Sequence, residues 1–304
     1  MKAIKSAALA GAAIIAMSAS GHAAALLDVT GSGINSDAAV ANGTTLWSLV
    51  GGVTTSTPAG DNGKNAILRY YVVASGSSGS SVFSLGEIDP AFGGTGAAPY
   101  VASNGNSYAL VDPAAGASGR NVSNLTSLNV VAVPALPQGA GGPSTGVALS
   151  GLVANPGTYT LSKLQTSFTP VQQTVSGDTY TGVPLWTFVN PSKLASAASQ
   201  IVVTSGTDGY EVVLSLAELD PSLGGNPANL LPYADTGSDF PGDGVARTIL
   251  PLDNKHGRWV SDLSSVTVSS AVPEPSTWVM LLLGLAGLGV LGYRPSRPTA
   301  SAAA

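Results

Sequence analysis

Two pairs of carboxylates recur at one spacing. Glu87-Ile-Asp89-Pro and Glu218-Leu-Asp220-Pro each set two acids one residue apart, just ahead of a proline. Paired carboxylates can share general acid and base work. An Asp-Pro step equally suits a turn flanked by a surface glutamate. Arg120 and Arg258 each follow a glycine. A guanidinium there could clamp an anion or pair with a neighbouring carboxylate, and the second is the simpler use. Asp208-Gly209-Tyr210 is either a ligand-facing turn or a plain turn whose tyrosine packs inward. Asp208, Tyr210, Arg247 and Arg258 are the candidates for a pocket. The stretch DTGSDFPGDG, residues 235–244, offers oxygens of the kind calcium takes. Gly237 and Phe240 break the EF-hand pattern, which needs an acid and a glycine in their places.

The residue inventory excludes several chemistries. With no cysteine, thiolate nucleophiles, zinc–thiolate sites and iron–sulfur clusters are out of reach. Of the two histidines, His22 lies in an N-terminal leader. That leaves His256, in the polar stretch LDNKHGRWV, too little for a multi-histidine metal centre or most histidine-based triads. The net charge is −5. Lys2, Lys5, Arg294 and Arg297 sit at the ends, so the middle is more acidic still, the opposite of a nucleic-acid footprint.

The elements that must position these residues come in two copies. VFSLGEIDPAFGG (82–94) aligns with VLSLAELDPSLGG (213–225), sharing Val, Ser, Leu, Glu, Asp, Pro and both final glycines. GTTLWSLV (43–50) parallels GVPLWTFV (182–189), VVASG (72–76) parallels VVTSG (202–206), and GRNVSNLTSLNV (119–130) parallels GRWVSDLSSVTV (257–268). The order is the same in both, as expected of an internal duplication. Between them PALPQGAGGPSTG, residues 134–146, has linker composition. Within each copy AILRYYVVAS and QIVVTS read as strands, as do LTSLNVVAV and LSSVTVSS. Short helices fit TLWSLVGG and PLWTFVNP, with Leu-Trp facing inward, and TLSKL at 160–164. The class is α+β, dominated by strands.

The ends speak of export. Lys2 and Lys5 precede an apolar stretch and the small residues of GHAAA, as in a secretory signal peptide cleaved after Ala23 or Ala25. Trp278 to Tyr293 carry no charge and would form a helix about 24 Å long at 1.5 Å per residue. That length is marginal for a bilayer core unless Ser276 and Thr277 are counted, giving a membrane segment over 276–293. Arg294 and Arg297 would hold its end on the cytoplasmic side.

Pro273-Glu274-Pro275, the apolar run and the arginines, taken in order, resemble the PEP-CTERM sorting signal of Gram-negative bacteria. The resemblance implies processing near Pro273–Pro275 by the membrane protease exosortase, after delivery by the Sec machinery. Two prolines keep that segment extended and short of backbone donors, which suits a protease substrate. The protein would pass through an inner-membrane intermediate to the cell surface or the extracellular space. In such a bacterial chain the sequons at Asn121 and Asn124 read as idle.

The second copy resembles the molybdopterin-binding domain of the sulfite-oxidase superfamily. The blocks that carry this are VALSGLVANPGTYTLSKL, YTGVPLWTFV, TDGYEVVLSLAELDP and VARTILPLDNKHGRWVSDLSSVTV, across 147–268. The first copy departs further: Gly79-Ser80-Ser81 stands near the place of Asp208-Gly209-Tyr210, and no arginine matches Arg247. That family's metal takes a cysteine thiolate, which no oxygen ligand replaces simply. The resemblance therefore implies the fold without the enzyme, and no cofactor is expected.

The expected organisation is a signal peptide at 1–25, a diverged repeat domain at 26–133, a linker at 134–146, a sulfite-oxidase-like repeat domain at 147–270 and the sorting signal with its transmembrane helix at 271–304. The expected function is that of a non-enzymatic surface or extracellular-matrix protein. A molybdopterin-dependent oxidoreductase, or a binding module for a small anion or a polysaccharide, are the alternatives. The tail generates a prediction. Intact-mass measurement on protein from the native host should give a chain ending near Pro275. A full-length C-terminus would contradict the sorting-signal reading.

Overall fold

The computed structural model describes residues 26–55, 65–94, 96–115, 119–192, 194–238, 240 and 242–271. The signal peptide, Pro273–Pro275, the membrane segment, Arg294 and Arg297 lie outside them. Among the described residues no helix is long and apolar enough to cross a membrane.

The first half runs β1 (Leu27–Gly31), β2 (Ile34–Ala38), β3 (Thr44–Thr45), α1 (Leu46–Val50), β4 (Tyr70–Gly76), β5 (Gly79–Ser84), α2 (Leu85–Ile88), β6 (Tyr100–Ser103), β7 (Tyr108–Val111) and β8 (Leu125–Ala132). The second runs β9 (Val147–Gly151), β10 (Gly157–Tyr159), α3 (Leu161–Ser167), β11 (Val171–Val175), β12 (Asp178–Pro184), α4 (Leu185–Val189), β13 (Gln200–Gly206), β14 (Glu211–Ser215), β15 (Leu230–Asp235) and β16 (Leu263–Ser270).

Each half builds a five-stranded sheet of one topology: β2-β1-β8-β4-β5 and β10-β9-β16-β13-β14. In both, the first long strand pairs parallel with the last, β1 with β8 and β9 with β16, and the other neighbours are antiparallel. The register agrees too, for Val29 faces Leu128 as Leu149 faces Val266. Each sheet shifts register at one place, Ser75/Gly76 and Ser205/Gly206. Each half adds a three-stranded sheet, β3-β6-β7 or β11-β12-β15. There Thr45 pairs with Tyr100 and Pro184 with Leu230, immediately ahead of α1 and α4.

Alternation explains which faces are buried. Leu27, Val29, Tyr70, Val72, Phe83, Leu128 and Val130 point into the first core, and Val147, Leu149, Val202, Val212, Leu214, Val266 and Val268 into the second. The intervening residues of the central strands are apolar as well. Tyr71, Val73 and Val82 meet Ile201, Val213 and Ala271 in a third cluster, where the two sheets face each other. β4 and β13 are therefore buried on both faces, which is why they read as continuous apolar runs.

Several sequence expectations change. Among the described residues the helices are so short, seven residues in the longest, that this part of the fold is mostly β rather than α+β. AILR of AILRYYVVAS is a 3-10 turn, Ala66–Arg69, not strand. The β4–β8 ladder begins at Tyr70 opposite Ala132, and just ahead of it the Arg69 carbonyl still accepts from the Val133 N–H (2.9 Å). Leu46 and Leu185 face inward, but Trp47 and Trp186 are only half-buried. The linker-like segment lies along the second half: Gly139 and Gly141 N–H groups donate to Asp208 and Thr207 carbonyls (2.9 and 3.3 Å), and Val245 N–H donates to the Ser144 carbonyl (3.1 Å).

The third cluster joins the sheets mainly through apolar contact, with one hydrogen bond from the Tyr71 hydroxyl to the Ala271 carbonyl (3.4 Å). Ile201→Ala should therefore lower stability by about 2–4 kcal/mol in urea denaturation with an unchanged m-value. A loss below about 0.5 kcal/mol, the range of surface substitutions, would mean that the sheets do not depend on this contact.

Candidate functional site

The recurring carboxylates meet at the seam between the halves. Each begins as local chemistry. Ser84-Leu-Gly-Glu87 is a capping box: the Glu87 N–H donates to Ser84 Oγ (3.1 Å) and the Ser84 N–H to Glu87 Oε2 (3.2 Å). Ser215-Leu-Ala-Glu218 repeats it, at 3.1 and 2.9 Å. The serine hydroxyls then reach across. Ser84 Oγ donates to Glu218 Oε1 (3.1 Å) and Ser215 Oγ to Glu87 Oε2 (2.8 Å). Each half thus caps its own turn and satisfies the other half's glutamate.

Two arginines complete the seam. Arg120 pairs with Glu87, stands 3.3 Å from Asp112, and donates to the Val82 carbonyl at 2.8 Å. Arg258 pairs with Glu218 (2.5 Å) and grips Asp253 with Nε and Nη2 (2.9 and 2.6 Å). The glycines before them are needed for closeness. A Cβ on Gly119 would meet Leu223 Cδ2 at 2.2 Å, and one on Gly257 would meet Phe92 Cε1 at 2.4 Å. The glutamates are therefore not surface residues; Glu218 is 9% exposed. Asp89 and Asp220 do the turn work instead, accepting from Ala91 and Ser222 N–H groups (2.8 Å each). Within each Glu-x-Asp pair the two acids thus part, the glutamate to the seam and the aspartate to its own turn. A recess of about 160 Å³ opens here, lined by groups from both halves including Glu87, Glu218, Arg120 and Arg258.

Two guanidinium groups face four carboxyl groups, and one acid shows the imbalance. Burial pushes Glu218 up to about 7, against the pull of Arg258, and the charges of Glu87 and Asp253 add to the rise. Burial pulls Arg258 down, but Glu218 and Asp253 outweigh it and hold Arg258 above its ordinary range. Arg120 behaves alike, with Glu87 and then Asp112 outweighing burial.

A second, larger recess of about 630 Å³ lies in the second half, with Asn65 and Phe92 of the first on its wall. Asp208, Tyr210, Lys255, His256, Trp259 and Asp262 line it. Asp208 and Tyr210 come from the β13–β14 turn, where Gly209 takes φ +85° and Asp208 Oδ1 accepts from the Tyr210 N–H (2.9 Å). The Tyr210 hydroxyl donates to the Gly257 carbonyl (2.5 Å) and accepts from Asn65 Nδ2 (3.1 Å). His256 is exposed and stacks on Trp259, 3.6 Å between ring centroids and 9° from parallel. Of the four pocket candidates, then, the structure brings Asp208 and Tyr210 together here. Arg247 is drawn off by Asp243 (2.6 Å) and sits 5.6 Å from the Trp259 ring centroid, outside the lining. Arg258 belongs to the seam.

Sequence reading missed Asp112, Asp253, Trp259 and Asp262. The Ser-x-x-Glu signature was available for the capping boxes. Asp262 had a signal in the duplication, because it stands where the first copy has Asn124. Burial, then the charge of Asp208, raises its pKa, against the Ser144 N–H and Arg247.

Neither recess fits a molybdenum pterin. The chain offers no thiol, the larger recess presents two carboxylates, and Arg258 is held by Glu218 and Asp253. Among the described residues no group of three or more His, Asp or Glu side chains could hold a metal ion. In the 235–244 loop, Asp243 is held by Arg247 and Asp235 Oδ1 accepts from the Phe240 N–H (3.4 Å).

Residues 271–297 match the model of the PEP-CTERM protein-sorting motif, which indicates exosortase-dependent sorting to the cell surface. No curated protein matches the chain. The sulfite-oxidase resemblance is not supported by any family match.

The raised Glu218 sets a pH dependence. Its ordinary value is 4.5 and its folded value about 7, so between these the folded state holds a proton that the unfolded state has lost. The stability this contributes is full below about 4.5 and lost as pH rises through about 7. The unfolding free energy of wild type minus that of Glu218→Gln should therefore fall across this window. A difference that is flat or rises with pH would contradict the assignment.

Proposed function

We propose that the chain is a non-enzymatic cell-surface or extracellular-matrix protein, exported through Sec, sorted by exosortase, and binding polysaccharide in its larger recess. The sorting motif at 271–297 supports the location. The observation that carries the binding role is the recess itself, which sets the exposed His256 ring beside Asp208, Asp262 and the polar Asn65–Tyr210 pair. Sugar hydroxyls are donors that carboxylates accept, and the C–H face of a sugar packs on a ring. A few placed polar groups in a cleft of several hundred Å³ are what small-ligand sites use.

The two carboxylates disfavour the small-anion alternative, since Arg247 and Arg258 are both held by acids elsewhere. Two observations support the non-enzymatic reading over the enzyme alternative. The glutamates that looked like acid–base pairs hold the seam, and no thiolate exists for the metal. We read the second half as a sulfite-oxidase-like domain without its metal ligand, on the order of its sequence blocks.

Titration calorimetry of the protein from its native host, against a panel of neutral, amino and acidic oligosaccharides, tests the role. At least one should bind, and His256→Ala should weaken it by about tenfold, or about 1.4 kcal/mol. Binding by no member, or binding untouched by His256→Ala and Asp208→Ala, would refute the proposal.

A further inference from the structure

The contacts of the seam come in converse pairs. Ser84 Oγ donates to Glu218, and Ser215 Oγ to Glu87. Leu223 stands against Gly119; Phe92, at the same place in the other copy, stands against Gly257. β5 lies against the 3-10 turn Leu194–Ser199, and β14 against the 3-10 turn Ala66–Arg69. Val82 and its counterpart Val213 share the apolar cluster between the sheets. Each half thus offers its partner nearly the patch that it receives. That is the arrangement of an isologous dimer, carried here by one chain.

The connection between the halves is short. The Val133 N–H is held in the first half by the Arg69 carbonyl (2.9 Å). The Leu136 N–H is held in the second half by Glu211 Oε2 (2.9 Å). Pro134 and Ala135 alone stand between these two points. Pro134 and Pro137 fix their own φ angles and push Val133 and Leu136 toward extended backbone. Short hinges invite exchange, because few of their conformations bring both ends together within one chain. A second copy supplies the same hydrogen bonds, ion pairs and apolar contacts, so the seam itself does not distinguish its own chain from another.

We propose that the chain exchanges halves with a second copy of itself, giving a dimer in which the first half of each chain docks on the second half of the other. The larger recess is then a joint product, drawing Asn65 and Phe92 from one chain and Asp208, Tyr210 and His256 from the other. Chains sorted to one cell surface meet their own copies at close range, which favours the exchanged form by mass action.

Light scattering on size-exclusion fractions tests this, with protein from the native host. A dimer is expected, its share growing with protein concentration. Tagged and untagged chains should enter one dimer after they are unfolded in urea and refolded together, and not on mixing while folded, since exchange needs the seam to open. The hinge supplies the control that a dimer formed through an outer surface would not follow. A flexible Gly-Ser spacer inserted between Pro134 and Ala135 should ease closure and weaken dimer formation by about tenfold. Deleting Pro134 and Ala135 should leave no closed monomer; if that variant fails to fold, the spacer variant decides alone. Monomer at every concentration after refolding would overturn the proposal, as would a folded monomer of the deletion variant. A dimer whose chains mix without unfolding, or whose share ignores the spacer, would be a surface dimer and would overturn it too.

Discussion

The reciprocal bond between Ser84 and Glu218, and between Ser215 and Glu87, is the constraint on which the rest of the fold depends. A capping-box serine ordinarily serves its own helix turn. Here its hydroxyl also donates to the glutamate of the opposite half, so neither turn is complete without the other. Arg120 and Arg258 then neutralise glutamates that burial would otherwise expel. Around this core the apolar cluster of Tyr71, Val73, Val82, Ile201 and Val213 closes the sheets on each other. Removing one partner of such a buried pair costs about 3–5 kcal/mol, comparable with the whole stability of a small domain.

The seam also explains what was legible in the sequence. The duplication could be read because the seam uses both copies of the same block, keeping Ser, Glu, Asp, Pro and the final glycines alike. The partner of each glutamate could not be read, because it depends on how two halves dock. The glycine before each arginine had a cause that only the structure shows, the close approach of Leu223 or Phe92 from the other half. Composition did not show how the linker segment packs. Glycine and proline there gave linker composition, and the segment also packs: a Cβ on Gly139 would stand 2.0 Å from the Thr207 carbonyl oxygen. Gly139 permits that close approach. Arg247 was assigned to the pocket from the family resemblance, while Asp243, four residues earlier, holds it elsewhere.

The copies have diverged where they are free to. The α3–β11 excursion in the second half has no counterpart among the described residues of the first. The larger recess forms at the edge of the second half, where Trp259 stands in place of Asn121 and Asp262 in place of Asn124. Its wall borrows Asn65 and Phe92 from the first half, so the site requires the docked pair. The sorting motif at 271–297 indicates a route to the outside of the cell for this body.

Native-state hydrogen exchange tests most directly whether the halves are held as one body. The account predicts that the best-protected amides of β4 and β8 and of β13 and β16 exchange only through global opening, with the same free energy and the same denaturant dependence. Ser84→Ala, in the first half, would then lower protection in β13 and β16 as much as in β4 and β8. Separate opening energies for the two sheets, with the substitution felt only in its own half, would contradict it.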